Sequence, residues 1–376
     1  MKRALTILTA ALFVLTSCSQ STRLALHYEG LQSDTIYLSV APIGKPIGAI
    51  TDTLVLHKGE TMYACEADEP LMVMVMPRDF VFDQPMEGGM RTMRNGAGFM
   101  SVVLTVGDEA NLQATSHGAY VTSEVKGSAL NREVVALYNA CNPLQGEFFN
   151  AIRSGDFGSA MAIRPQIVQL QTDYIKNHPN RESAVFALSQ LDEEQVAEHY
   201  EMIAESAFDG VFQPLKEQMG LIAEGRKVLL GAKQTIVEGS KAPDFMLPTV
   251  DGANWTLSTL RGRWVVLDFW GSWCGWCVAG FPKMKAYYAR YSDRIEFVGI
   301  ACKDTDAKWR AAIEQHELPW KQLFNSRDLR PAQSPMHLYG VEGFPTKIIL
   351  TPEGKIHRIF VGESADFYNA IDNLFK

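Results

Sequence analysis

The chain has 376 residues, of which 47% are hydrophobic and 21% charged, and its formal net charge is −8. That length implies two or three domains with cores of their own. The acidic balance, with no basic cluster, excludes nucleic acid as a partner class.

Lys2 and Arg3 precede an almost wholly apolar run at 4–15. The run is too short to span a bilayer and has the form of a signal h-region. It ends in Leu15-Thr16-Ser17-Cys18, which resembles the bacterial lipoprotein signal. That resemblance implies a signal peptide over 1–17 and an acylated Cys18 as the mature N-terminus, anchored to a membrane. The alternative is an ordinary secretory peptide with a cysteine at its cleavage site. Either way the mature chain leaves the cytoplasm. No later stretch reaches about 18 uninterrupted apolar residues, so no second span is expected.

Residues 24–125 alternate polar and apolar side chains between turn residues. "DTIYLSVAP", "DTLVLHK", "LMVMVMP", "FMSVVLTV" and "ANLQATS" read as short strands. An all-β, sandwich-like domain over 18–127 is predicted. The stretch "PMEGGMRTMRNGAG" at 85–98 reads as a glycine-rich loop, without the order a phosphate cradle needs. Helical spacing then takes over, in "NREVVALYNAC", "IVQLQTDYIKNH", "ESAVFALSQL", "EEQVAEHYEMIAE" and "PLKEQMGLIAEGRKVLL". Asn180 and Asp192 stand where N-caps would. A helical segment over 128–236 is predicted, with no ligand cluster.

"VEGSKAPDF" at 237–245 marks a boundary. After it "LRGRWVVLDFW" is a turn and an apolar strand of the kind buried on both faces. "RIEFVGIACK" reads as a strand, "TDAKWRAAIEQHE" as a helix, "TKIILTPEGKIHRIFVG" as a hairpin and "DFYNAIDNLF" as a closing helix. The alternation implies an α/β sheet over 237–376.

Inside this last part, "FWGSWCGWCVAGFP" places Cys274 and Cys277 at the opening of a helix. Positions i and i+3 share a helix face, which brings the two sulfurs into disulfide range. The first sulfur then meets the unpaired N–H groups and dipole of the helix N-terminus, which stabilise the thiolate that attacks disulfides. A structural zinc site needs a second ligand pair, and none has the spacing. A covalent haem site needs histidine after the second cysteine, where Val278 stands. An inert bridge closing so short a loop gives little stability. Redox chemistry is the reading that remains, without metal or cofactor. Cys65, Cys141 and Cys302 are scattered and read as buried free thiols.

Residues 238–376 resemble the thioredoxin fold, and more closely its extracytoplasmic ResA/TlpA branch. "GSKAPDFMLPTVDGANWTLSTLRGRWVVLDFWGSWCGWC" runs in family order, and "GFPT" at 343–346 matches the cis-proline loop. The resemblance implies an exposed nucleophile at Cys274 and a buried resolving thiol at Cys277, joined as a redox disulfide in the oxidised state. It implies a buried proton-shuttling acid at Asp268, whose pKa burial should raise. Trp273, Trp276, Phe344 and a cis Pro345 would meet the substrate. Three departures stand out. Trp276 replaces the usual proline, Gly275 replaces the glutamate of part of the ResA branch, and Gly299 falls where the lysine partner of the buried acid stands in cytosolic thioredoxin.

The function these features imply is an extracytoplasmic, membrane-anchored thiol:disulfide oxidoreductase that reduces protein disulfides. Its setting would be the cell envelope or periplasm of a Gram-negative bacterium, with an upstream membrane electron donor and a place in cytochrome c maturation or disulfide quality control. The rival from another class is a cell-envelope binding protein carrying an accessory redox domain. A thiol peroxidase is disfavoured: its P-x-x-x-[TS]-x-x-C motif would need Pro and Thr or Ser where Leu267 and Gly271, or Trp270 and Cys274, stand.

Overall fold

The computed structural model describes residues 21–47, 49–86 and 89–376. The signal expected at 1–17 and the acylation expected at Cys18 lie outside the described residues.

Ten strands open the described chain: β1 (Ser21–Glu29), β2 (Thr35–Pro42), β3 (Asp52–Val55), β4 (Glu60–Glu66), β5 (Leu71–Pro77), β6 (Val81–Met86), β7 (Gly89–Arg94), β8 (Met100–Leu104), β9 (Glu109–Ser116) and β10 (Val121–Lys126). Eight of them form two four-stranded sheets, ordered β10-β9-β1-β4 and β3-β2-β5-β8. In β1 every second residue from Thr22 to Tyr28 is buried, the period-2 pattern of a strand with one covered face. Leu24, Leu26 and Leu112 from one sheet share a core with Ile36, Leu38, Val73 and Val102 from the other. The stretch expected to be a loop at 85–98 is largely strand, because β6 and β7 pair antiparallel as a separate hairpin.

Five helices follow: α1 (Ala129–Ser154), α2 (Phe157–Asn177), α3 (Glu182–Ser189), α4 (Glu193–His199) and α5 (Gln213–Thr235). Ser128 and Asp156 cap α1 and α2 by accepting from the N–H groups of Asn131 and Ser159. Asn180 does not cap α3; Arg181 holds that position and makes no side-chain cap bond. Helix α1 also closes sheet edges. The Asn131 amide pairs with both the N–H and the C=O of Val103 on β8, each at 2.8 Å. Asn139 does the same for Ser123 on β10, at 2.9 and 2.7 Å. Both strands are sheet edges, whose open backbone groups would otherwise invite foreign strands.

The chain divides into two compact units. One runs to Asp192 and includes Glu201–Lys216; the other holds Glu193–Tyr200 and Glu217–Lys376. The helical segment expected as one piece over 128–236 is therefore split. Most of α5 goes with the C-terminal unit because its side chains are committed there. Arg226 pairs with Glu342 at 2.8 Å and with Glu194 at 2.7 Å, and Lys233 pairs with Glu342. Gly225 leaves no more than 3.1 Å between an added Cβ and the His337 ring.

The rest of the C-terminal unit contains β11 (Met246–Pro248), β12 (Asn254–Thr256), β13 (Trp264–Trp270), α6 (Gly275–Tyr291), β14 (Ile295–Cys302), α7 (Asp306–Gln315), β15 (Lys321–Asn325), α8 (Pro335–Leu338), β16 (Thr346–Leu350), β17 (Ile356–Val361) and α9 (Ala365–Leu374). Its five-stranded sheet has the order β15-β14-β13-β16-β17. Strands β13, β14 and β15 run parallel, whereas β16 and β17 are antiparallel to their neighbours. Central β13 sends Val266 and Trp270 into a core shared with Phe281, Met284 and Phe367, and Val265, Leu267 and Phe269 into a second core with Phe245 and Tyr339. By the same alternation Asp268 points to the side of Val266 and Trp270, the side that α6 and α9 cover.

Candidate active site

The chain leaves β13 at Trp270, turns through Gly271 and Ser272, and enters α6 with Cys274 as its N-cap. The Cys274 sulfur accepts from the Cys277 N–H at 3.2 Å, so the helix end presents a donor to that sulfur. Cys274 and Cys277 are joined by a disulfide with their Cα atoms 5.3 Å apart. In this oxidised state Cys274 is 6% exposed and Cys277 3%. The exposed nucleophile expected at Cys274 is thus largely covered, because in this state it packs into the core shared with Trp270 and Phe281. Trp273 and Trp276, 52% and 75% exposed, supply the accessible surface around the bridge.

The entry turn is held by a residue that sequence reading passed over. Asp304 is buried, and its two carboxylate oxygens accept from the Ser272 N–H at 2.7 Å and the Ser272 hydroxyl at 2.9 Å, while one also accepts from the Thr305 N–H. Trp273 folds back over Gly271, where a Cβ would lie 2.4 Å from the indole nitrogen. That nitrogen donates to the Cys302 carbonyl at 3.2 Å. The Trp273 ring also meets the Phe344 ring edge-on, with centroids 5.3 Å apart. Phe344–Pro345 is a cis peptide, and Phe344 packs against the core that contains both cysteines. The loop of the cis proline, some seventy residues downstream, thus lies at the dithiol. The Pro345 carbonyl accepts from the Gly362 N–H at 2.8 Å, which ties that loop to the end of β17.

Asp268 is 3% exposed, and burial raises its pKa. Neither sulfur hydrogen-bonds it. Its ionic partner is Lys347 on β16, at 3.8 Å, a distance for an ion pair and too long for a hydrogen bond. Lys347 offsets part of the effect of burial, and Glu363 nearby adds to it. Gly299 is the β14 partner of Asp268, and the Gln322 amide occupies the space its Cβ would take. Gln322 in turn accepts from the Trp270 indole at 3.1 Å. The lysine expected to be missing at 299 therefore arrives from the opposite neighbouring strand, where Lys347 is the register partner of Asp268. The signal was present in "TKIIL": one charged residue in a strand otherwise buried on both faces. Cys302 and Cys141 are buried free thiols whose pKa burial pushes up, to about 11 for Cys141. Cys65 is free and partly exposed.

A pH effect follows for Asp268. Its folded pKa lies above the unfolded value of about 3.9. The folded state therefore binds more protons than the unfolded state once pH exceeds that value, and stability falls as pH rises toward the folded pKa. Asp268→Asn removes this loss. Urea midpoints of the oxidised variant should gain on wild type between pH 4 and pH 8; an offset constant across that range would contradict the burial account.

A disulfide at the N-cap of the helix after the central strand, faced by a cis-proline loop, defines a thioredoxin-fold thiol–disulfide exchange site. The profile of the AhpC/TSA family matches residues 239–359. The thioredoxin-like protein YneN of Bacillus subtilis is 30% identical over 130 residues, covering 34% of this chain and 73% of that protein. The thiol-disulfide oxidoreductase ResA of the same organism is 28% identical over 135 residues, covering 36% and 73%. Among solved structures, a putative thiol:disulfide interchange protein DsbE from Chlorobium tepidum is 31% identical over 37% of this chain and 94% of its own, with a TM-score of 0.33. The chain belongs, through its C-terminal domain, to the thioredoxin-like family of ResA/TlpA-type thiol:disulfide oxidoreductases. Among the described residues no group of three or more His, Cys, Asp or Glu side chains is placed to hold a metal ion, and no helix is long and apolar enough to cross a membrane.

Proposed function

We propose that this protein reduces protein disulfides outside the cytoplasm, held to a membrane through Cys18. The observation that carries the reading is the Cys274–Cys277 pair at the α6 N-terminus, rimmed by two exposed tryptophans and the cis-proline loop. The Cys274 thiolate attacks a substrate disulfide, forming a mixed disulfide and releasing one substrate thiolate, which takes a proton from water. Cys277 gives up its proton and attacks the Cys274 sulfur. The internal bridge forms, the second substrate thiolate leaves, and two electrons have passed to the substrate. Asp268 serves as acceptor of the Cys277 proton. An upstream membrane dithiol then restores Cys274 and Cys277. Trp273, Trp276, Phe344 and Pro345 form the docking surface for an extended apolar substrate segment.

The leader sequence supports the anchor, and the ResA-type relatives support a role among cell-envelope thiols. The Gram-negative setting rests on the order of leader, β domain, helices and redox domain. The two N-terminal parts, 18–127 and 128–236, serve to select partners, since a short polar linker would give the same reach. A role in cytochrome c maturation or disulfide quality control fits a reductant so placed. The test is a Cys277→Ser full-length chain expressed in its own host and captured with its mixed-disulfide partners. Envelope proteins with reducible disulfides are expected in the membrane fraction. Recovery of cytoplasmic proteins alone would refute the location, and recovery of no mixed disulfide would refute protein disulfides as substrates.

A further inference from the structure

Three ionisable side chains from separate segments converge on the side of the sheet that α6 and α9 cover. Lys347 Nζ lies 2.6 Å from Glu363 Oε2 and 3.8 Å from Asp268 Oδ1. The side chains of Asp268 and Lys347 are 5% and 4% exposed, and that of Glu363 is 19% exposed. Glu363, just beyond β17, is thus the member that reaches water. Its other oxygen accepts from the Tyr368 hydroxyl of α9 at 2.6 Å. From α6, Lys283 Nζ sits 4.1 Å above the Tyr368 ring. From β14, the Cys302 thiol is raised by burial, with Asp268 and Asp304 adding to the effect.

Helix α6 is shaped to admit the Glu363 carboxylate. Gly280 follows Cys277 by three positions and so shares its face. A Cβ at Gly280 would stand 2.5 Å from Glu363 Oε2 and 2.7 Å from its carboxyl carbon. Any side chain there would push the carboxylate off Lys347 and Tyr368.

Two carboxylates and one ammonium cannot all be equally satisfied in a low-dielectric interior. Glu363 has the short contact to the cation, a hydroxyl donor and partial access to water. Asp268 has the long contact, and its Oδ1 has no hydrogen-bond partner. Asp268, with the long contact and the unpartnered Oδ1, is therefore the member of the trio whose ionisation burial opposes.

We infer that Glu363 is a positioning residue for the proton chemistry of the dithiol: it draws Lys347 away from Asp268 and thereby sets the pH at which Asp268 takes up the proton of Cys277. The inference rests on the thiol-exchange reading above. In the resolving step the proton leaves the Cys277 sulfur for Asp268 while the Cys274–Cys277 bond forms and the substrate sulfur departs as a thiolate. That step needs Asp268 ionised, so its rate rises with pH through the Asp268 titration. Without the Glu363 charge, Lys347 pairs with Asp268 alone, and Asp268 ionises at lower pH.

The test is the single-turnover rate at which the reduced full-length chain is oxidised to its Cys274–Cys277 disulfide by excess oxidised glutathione, from pH 5 to 9. Glu363→Gln keeps the shape and should move the rising limb to lower pH by about one unit, tenfold in proton affinity. Gly280→Ala changes no charge and should move the limb the same way by displacing Glu363. Lys347→Met removes the cation and should move it the opposite way. In an Asp268→Asn background, Glu363→Gln should move nothing. A Glu363→Gln profile superimposed on wild type, or a shift that survives in Asp268→Asn, overturns the inference. So does a Lys347→Met shift in the Glu363→Gln direction; if Lys347→Met does not fold, the Glu363→Gln and Asp268→Asn pair decides. Wild type without turnover at any pH would instead overturn the exchange reading on which the inference stands.

Discussion

Cys274→Ser should lower the rate of disulfide exchange by at least about 10³-fold, the scale on which loss of a covalent nucleophile acts. Serine keeps the N-cap role, because its oxygen accepts the Cys277 N–H as well as sulfur does. The fold should therefore survive, and the loss falls on chemistry alone. Cys277→Ser should behave differently. The first attack proceeds, but no thiol resolves the mixed disulfide, so turnover stops after one adduct per chain. In the reduced wild-type protein an alkylating agent should modify Cys274 first, because it is the residue at the helix end, whose N–H groups support its thiolate. Single-turnover kinetics with a small disulfide, followed by mass measurement, separates the cases. Full multiple-turnover activity in Cys274→Ser would remove the site assignment.

Asp304→Ala should destabilise the protein by about 2 kcal/mol, since it removes a buried carboxylate that accepts from the part-buried Ser272 N–H and hydroxyl and from the Thr305 N–H. Ser272 is the residue before Trp273, so the effect should reach function too. The turn that presents Trp273 loses its anchor, while the indole bond to the Cys302 carbonyl and the contact with Phe344 remain. Exchange with a small disulfide should fall less than exchange with a protein disulfide that needs the docking surface. Urea unfolding gives the first quantity, and paired rates on glutathione and a folded protein substrate give the second. A stability change under about 1 kcal/mol would show that water replaces the carboxylate at little cost.

The sequence alone determined the parts whose cause is local. The period of two in β1 and β9 reflects one covered face, and the apolar run of β13, interrupted only by Asp268, reflects two. The spacing of Cys274 and Cys277 on a helix end is likewise local, as is the turn at Gly354 between β16 and β17. Other features were decided only when distant segments met. Segment 85–98 reads as a loop by its glycines, yet β6 and β7 supply each other with backbone partners. Helix α5 reads like its helical neighbours, but Arg226 and Lys233 find Glu342 more than a hundred residues away and go with the C-terminal unit. By resemblance the cation partner of Asp268 belongs at 299, on the next strand in sequence, where glycine stands. The sheet places β13 between β14 and β16, so the cation could come from either side. A register along β16 put Lys347 opposite Asp268, and a gap at Gly280 let Glu363 reach it. Charge in a low-dielectric interior is settled by whichever groups lie within a few ångströms, and sequence separation carries no information about that distance.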